Sequence, residues 1–106
     1  MGSGFSEREQ AFENKWAHDE ELKFRVLAHR NRLLGLWAAG EMGLTGPAAD
    51  EYAAQIVQAE LSPQGDEAVF RKIRADFDTA GTARTDHLIR SRMVEFLQAA
   101  KAELAR

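Results

Sequence analysis

The stretch Asp19–Gly43, DEELKFRVLAHRNRLLGLWAAGEMG, decides how the rest of the chain is read. Phe24, Leu27, Ala28, Asn31, Leu34, Gly35, Ala38 and Met42 recur at the three-four spacing of one helix face. Leu33, Leu36 and Trp37 widen that stripe. Asp19-Glu20-Glu21 places acids at the positive end of the helix dipole. Gly43 stands just past the far end, where a C-cap glycine belongs. With a rise of about 1.5 Å per residue the helix spans about 36 Å. A glycine inside it costs about 1 kcal/mol relative to alanine. Gly35 is therefore read as a point of close approach by another helix.

Three further helices follow downstream. Pro47 opens the second from a first-turn position, where its missing N–H costs nothing. Ala49, Tyr52, Ala53, Ile56 and Val57 form its apolar face. Ser62-Pro63-Gln64-Gly65 breaks the chain. Asp66 is the expected cap of the third helix, with Val69, Phe70, Ile73 and Phe77 inward and Gly81 at its end. Thr85 caps the fourth, with Leu88, Ile89, Met93, Phe96, Leu97, Ala100 and Leu104 inward. β-Branched residues are few and never alternate over a useful length, so strands are not expected. The expected fold is all-α: a small up-and-down four-helix bundle over residues 19–106.

Residues 1–18 fit that core poorly and read as an N-terminal arm. Ser6-Glu7-Arg8-Glu9 is a capping box, with Phe5 on the outer side of a hydrophobic staple. Phe12 and Trp16 are four apart and share a face, and Phe5 falls near the same stripe. Glu7, Arg8, Gln10, Glu13, Asn14 and Lys15 occupy the other face. An isolated helix of about 12 residues is marginal in water. The arm is thus expected to be marginally helical or disordered when free, and helical when docked. Two readings stay open. The aromatic ridge enters a groove on a partner, or Phe12 and Trp16 fold back onto the bundle.

Composition excludes several function classes. The chain has 106 residues, enough for one domain. It has no Cys, so disulfide frameworks and thiolate chemistry are excluded. The net charge of -3 argues against a nucleic-acid binder. Charge is uneven: residues 22–34 carry Lys23, Arg25, Arg30 and Arg32 and no acid. That stretch reads as a solvated face or an interaction surface. The longest apolar run, Leu33–Ala39, falls far short of the roughly 20 residues a membrane span needs. No secretory signal is read at the N-terminus.

No catalytic constellation emerges. His18, His29 and His87 lack metal-ligand spacing, so no metal site is expected. Gly40, Gly43 and Gly46 follow a helix rather than a strand and read as a turn. Asp76 and Asp78 flank the inward Phe77 and read as solvated. Arg71, Lys72, Arg74, Arg90 and Arg92 read as exposed faces, with phosphate binding the competing reading. The expectation is a protein that is not an enzyme and uses no cofactor.

The strings FSEREQAFENKWAHDEELKF, RNRLLGLWAAGEMGL, FRKIRADFD and TDHLIRSRM, in that order and spacing, resemble the zeta subunit family of alpha-proteobacterial F-type ATP synthases. The likeness runs from Phe5 to the C-terminus, and Arg30–Ala39 is its most specific block. It implies a small four-helix protein that inhibits ATP hydrolysis by the catalytic head. It implies that the arm enters the interface between a catalytic β subunit and its α neighbour, near the γ shaft. The inhibitory residues implied are Phe5, Ser6, Glu7, Arg8, Glu9, Phe12, Glu13, Lys15 and Trp16. Phe5, Phe12 and Trp16 would be anchors, Arg8 and Lys15 would meet acidic groups, and Glu9 would cap the docked helix. Phe12 is bulkier than the family pattern at its position, and Trp16 stands where Phe is commoner. The likeness further implies a monomer when free, in the cytoplasm, held at the inner membrane only through the synthase, with neither nucleic acid nor membrane insertion. The competing readings are a helical adaptor that docks its arm on another protein, and a nucleotide- or nucleic-acid-binding module built on Lys23, Arg25, Arg30 and Arg32.

Overall fold

The structure, a computed structural model, describes residues 6–105. Every regular element among them is helical: α1 (Glu7–Trp16), α2 (Glu20–Glu41), α3 (Gly46–Ala59), α4 (Asp66–Ala80) and α5 (Asp86–Leu104). The all-α expectation holds. The count is five rather than four, because the arm is itself a formed helix. The staple expected from Phe5 lies outside the described residues.

Local sequence explains most boundaries. Asp19 caps α2 by accepting a hydrogen bond from the Leu22 N–H at 3.0 Å, which separates it from α1 as the second acidic start implied. Thr85 does the same for α5, accepting from Leu88 N–H at 3.1 Å. Pro47 lies within the first turn of α3, and Gly81 ends α4. The start of α4 differs from expectation. The cap position falls to Gly65, at φ 54° and ψ -119°, a conformation that only glycine adopts cheaply. Asp66 is instead the first helical residue, and its side chain is committed elsewhere.

Helix α2 is the central element, packed against both α3 and α5, and α4 closes against those two. Leu34, Ala38, Tyr52, Ile56, Val69, Ile73, Phe77, Ile89 and Met93 form the core. Trp37 meets Phe77 edge-on, with ring centroids 5.8 Å apart. Helix α1 contributes no buried residue. Gly35 behaves as its position implied. A Cβ there would lie 2.6 Å from Ala53 Cα and 3.1 Å from Ile56 Cγ1, so only glycine admits the backbone of α3.

The inward stripe of α2 keeps Asn31, Leu34, Gly35 and Ala38 as expected but departs from expectation toward its start. Val26 is buried, whereas Phe24 is 56% exposed; at the far end of α5, Leu104 also faces solvent. The reason is Arg30, which holds an interior position although the basic run reads as a solvated face. Its side chain is 1% exposed. Nε donates to Asn31 Oδ1 at 2.6 Å, and Nη1 donates to the Met93 carbonyl at 3.3 Å. Nη2 reaches Glu60 Oε1 at 3.3 Å and Asp66 Oδ1 at 2.5 Å. Asn31 Nδ2 donates to Glu60 Oε1 at 2.8 Å. One guanidinium thus joins α2, the end of α3, the start of α4 and the middle of α5. A second polar cluster corrects the reading of Asp76: it accepts from Tyr52 Oη at 2.8 Å and pairs with Lys72 at 3.0 Å.

Burial raises the Glu60 carboxyl above its ordinary value; the Asn31 hydrogen bond opposes this, Asp66 adds to it, and the Arg30 charge opposes it. A raised folded value means that folding binds the proton more tightly. This contribution is present below the unfolded value and is lost as pH rises through the folded one.

Two predictions follow from the packing. Gly35→Ala gains about 1 kcal/mol of helix propensity but overpacks against backbone at a cost of about 1–3 kcal/mol. Gly40, on the same helix, has nothing near the added methyl. Urea unfolding is expected to show G35A destabilised and G40A stabilised by about 0.4–1 kcal/mol; equal gains would refute the close approach. Glu60→Gln keeps an acceptor for Arg30 and Asn31. Its stability relative to the parent is expected to rise with pH just above the usual carboxylate range. A difference independent of pH would contradict the raised Glu60 value.

Candidate partner-binding arm

The arm is a complete helical unit. Ser6 Oγ accepts from the Glu9 N–H at 3.1 Å, and Glu9 Oε1 accepts from the Ser6 N–H at 3.0 Å. The capping box read from sequence is therefore formed at both bonds. Ten helical residues are too few to hold themselves. Contact with the body of the protein supplies the rest, so the fold-back alternative describes the free chain here.

The structure divides the expected arm residues by face, and it moves Glu13, read opposite Phe12 and Trp16, to their side. Glu9, Phe12, Glu13 and Trp16 are half-buried, while Ser6, Glu7, Arg8 and Lys15 are exposed. Phe5 lies outside the described residues. Glu9, Phe12 and Glu13 line a cleft of about 250 Å³ with Gln98, Lys101, Ala102 and Ala105 of α5 and its end. Lys101 is central to that contact. Its Nζ lies 3.2 Å from Glu13 Oε2 and 4.2 Å from the centroid of the Trp16 ring. Nothing in the sequence singles out Lys101. Its partners stand far away along the chain, and a lysine in a last helical turn already suits the helix dipole. A second apolar cleft, of about 280 Å³, lies where Phe24, Leu27 and Ala28 of α2 face Val57 and Leu61.

Most of the basic residues are taken up in ion pairs. Lys23, Arg25 and Arg32 lie 3.8, 4.0 and 4.0 Å from Glu20, Glu21 and Asp50, and Arg30 is internal. Arg74 bridges Asp78 and Asp86, both at 2.8 Å, and those hydrogen bonds hold its guanidinium above its ordinary value. Arg90 pairs with Glu67 at 2.8 Å, lowering that carboxyl, and lies 3.7 Å from the Phe70 ring centroid. Arg92 pairs with Glu95 at 3.1 Å. The histidines are dispersed. His29 Nε2 lies 2.5 Å from Glu103 Oε1, tying α2 to the end of α5. His87 Nε2 lies 3.5 Å from Ser91 Oγ on an open face of α5. A contact of that length on an exposed face is not an activated nucleophile. Among the described residues no three His, Cys, Asp or Glu side chains come together as metal ligands. No helix among them is long and apolar enough to cross a membrane.

The chain is thus an all-helical body with an N-terminal helix, α1, held against α5 through Lys101. No curated protein matches the chain. The family described as ATPase inhibitor subunit zeta matches residues 1–103, nearly the whole chain. The chain belongs to the ATPase inhibitor subunit zeta family.

Proposed function

We propose that this protein is a regulatory, non-catalytic inhibitor of an F-type ATP synthase. Residues 1–18 are the inhibitory arm, and residues 19–106 are a four-helix bundle domain that carries it. The arm enters the interface between a catalytic β subunit and its α neighbour, beside the γ shaft, and stops rotation in the hydrolytic direction. Rotation in the direction of synthesis expels it. Phe5, Phe12 and Trp16 are the apolar anchors. Arg8 and Lys15 pair with acids on the partner, Glu9 caps the docked helix, and Ser6, Glu7 and Glu13 complete the contact surface. The site of action is cytoplasmic, at the inner membrane surface where the synthase stands.

The observation that carries this reading is the family membership. The geometry of the arm supports it. Helix α1 adds no buried residue to the core, so it leaves without opening that core. Its aromatic ridge has the spacing by which a helix anchors in a groove.

The test is ATP hydrolysis by the cognate synthase head during turnover, with the full chain or with residues 19–106 added. The full chain is expected to inhibit. The truncation is expected to remain folded by circular dichroism and to lose inhibition. A folded truncation with full inhibitory power would overturn the arm assignment. Absence of inhibition by both would favour a helical adaptor with the arm docked on another protein.

A further inference from the structure

The face of α1 that meets a partner in the proposed function is the face already in use within the free chain. Phe12, Glu13 and Trp16 all turn toward the last turns of α5. Lys101 serves two of them at once, with one ammonium on a carboxylate and on an aromatic ring. Its side chain is only 13% exposed, although lysine is rarely withdrawn from water unless paired. The exposed residues of α1, by contrast, include Arg8 and Lys15, which remain free to be met first.

We infer that Lys101 is an internal latch, and that the seat on α5 competes with the partner for the Phe12–Glu13–Trp16 face. This rests on the arm reading above and adds its regulation. A partner that takes up the arm must first displace Lys101 from both groups. The apparent affinity is then the intrinsic one reduced by the fraction of chains whose arm is released. The body serves as both carrier and competitor. The seat is one ion pair and one cation–π pair with no buried residue of α1, so it opens without exposing the apolar core.

The experiment uses the full chain with Lys101→Ala and Lys101→Arg. Arginine keeps the positive charge, the ion pair, the ring contact and the favourable position at the end of α5. Two readouts are needed: amide hydrogen exchange in the free protein, and inhibition of ATP hydrolysis by the synthase head. K101A is expected to speed exchange in residues 7–16 while leaving α2–α4 unchanged. It is also expected to lower the concentration for half inhibition by about 3- to 10-fold. K101R is expected to match the parent in both. Faster exchange in K101A without tighter inhibition, or with weaker inhibition, would overturn the competition. Unchanged exchange would overturn the latch itself. If neither parent nor variants inhibit, the arm reading fails and the competition with it; exchange still decides whether Lys101 holds α1.

Discussion

The buried guanidinium of Arg30 is the constraint around which this fold is arranged. A cation withdrawn from water is costly unless its hydrogen bonds are met by fixed partners. Here those partners come from Asn31 beside it, from Glu60 at the end of α3, from Asp66 at the start of α4 and from the Met93 carbonyl of α5. None of these elements shifts independently without leaving a charge or a donor unmet. Such a cluster adds little net stability over apolar side chains of similar volume, but losing one partner from it is expensive. Its effect is geometric: it fixes where α3 ends and where α4 begins relative to α2. Gly65 belongs to the same arrangement. Its positive φ turns the chain so that Asp66 enters α4 with its carboxylate toward Arg30.

Gly35 sets the second constraint, one turn further along α2. With Arg30 fixing the end of α3 and Gly35 admitting its middle, α3 is held at two points along the central helix. The apolar core then fills what these two contacts define. Leu34 and Ala38 of α2 meet Tyr52 and Ile56 of α3, and Val69, Ile73 and Phe77 of α4 close over them. Tyr52 is buried yet keeps a partner for its hydroxyl, because Asp76 of α4 faces it. Burial first, and then Asp76, raise that phenol well above its ordinary value, so it remains a donor.

The helices themselves were legible because their signals are local. Capping at Ser6, Asp19 and Thr85, the proline at Pro47 and the stops at Gly43 and Gly81 each act within one turn. Periodicity fixed which face of α4 turns inward. On α2 it marks Asn31, Leu34, Gly35 and Ala38 correctly but takes Phe24 over Val26. Arg30 also belongs to the buried stripe, and no rule of hydrophobic spacing counts a charged residue as interior. Asp66 was misread for the same reason, since its partner lies in another helix. The arm shows the same division. Its helix and capping box could be read from residues 6–9 alone, but its seat depends on Lys101 at the opposite end of the chain. Pairing between distant positions leaves no mark in a single sequence.

The two parts of the molecule differ in the kind of contact that holds them. Helices α2–α5 share one apolar core and a buried ionic cluster. Helix α1 rests on partly exposed contacts: an ion pair that counterions screen and a ring under an ammonium. Such contacts are worth about 0.5–1 kcal/mol each at exposed sites and more where, as at Lys101, the ammonium is withdrawn from water. The capping box lowers the cost of keeping the helix intact once it leaves, because its bonds lie wholly within the arm. On the proposed reading the arm needs no unfolding of α2–α5 to act, only a partner surface that holds the Phe12–Trp16 ridge better than α5 does.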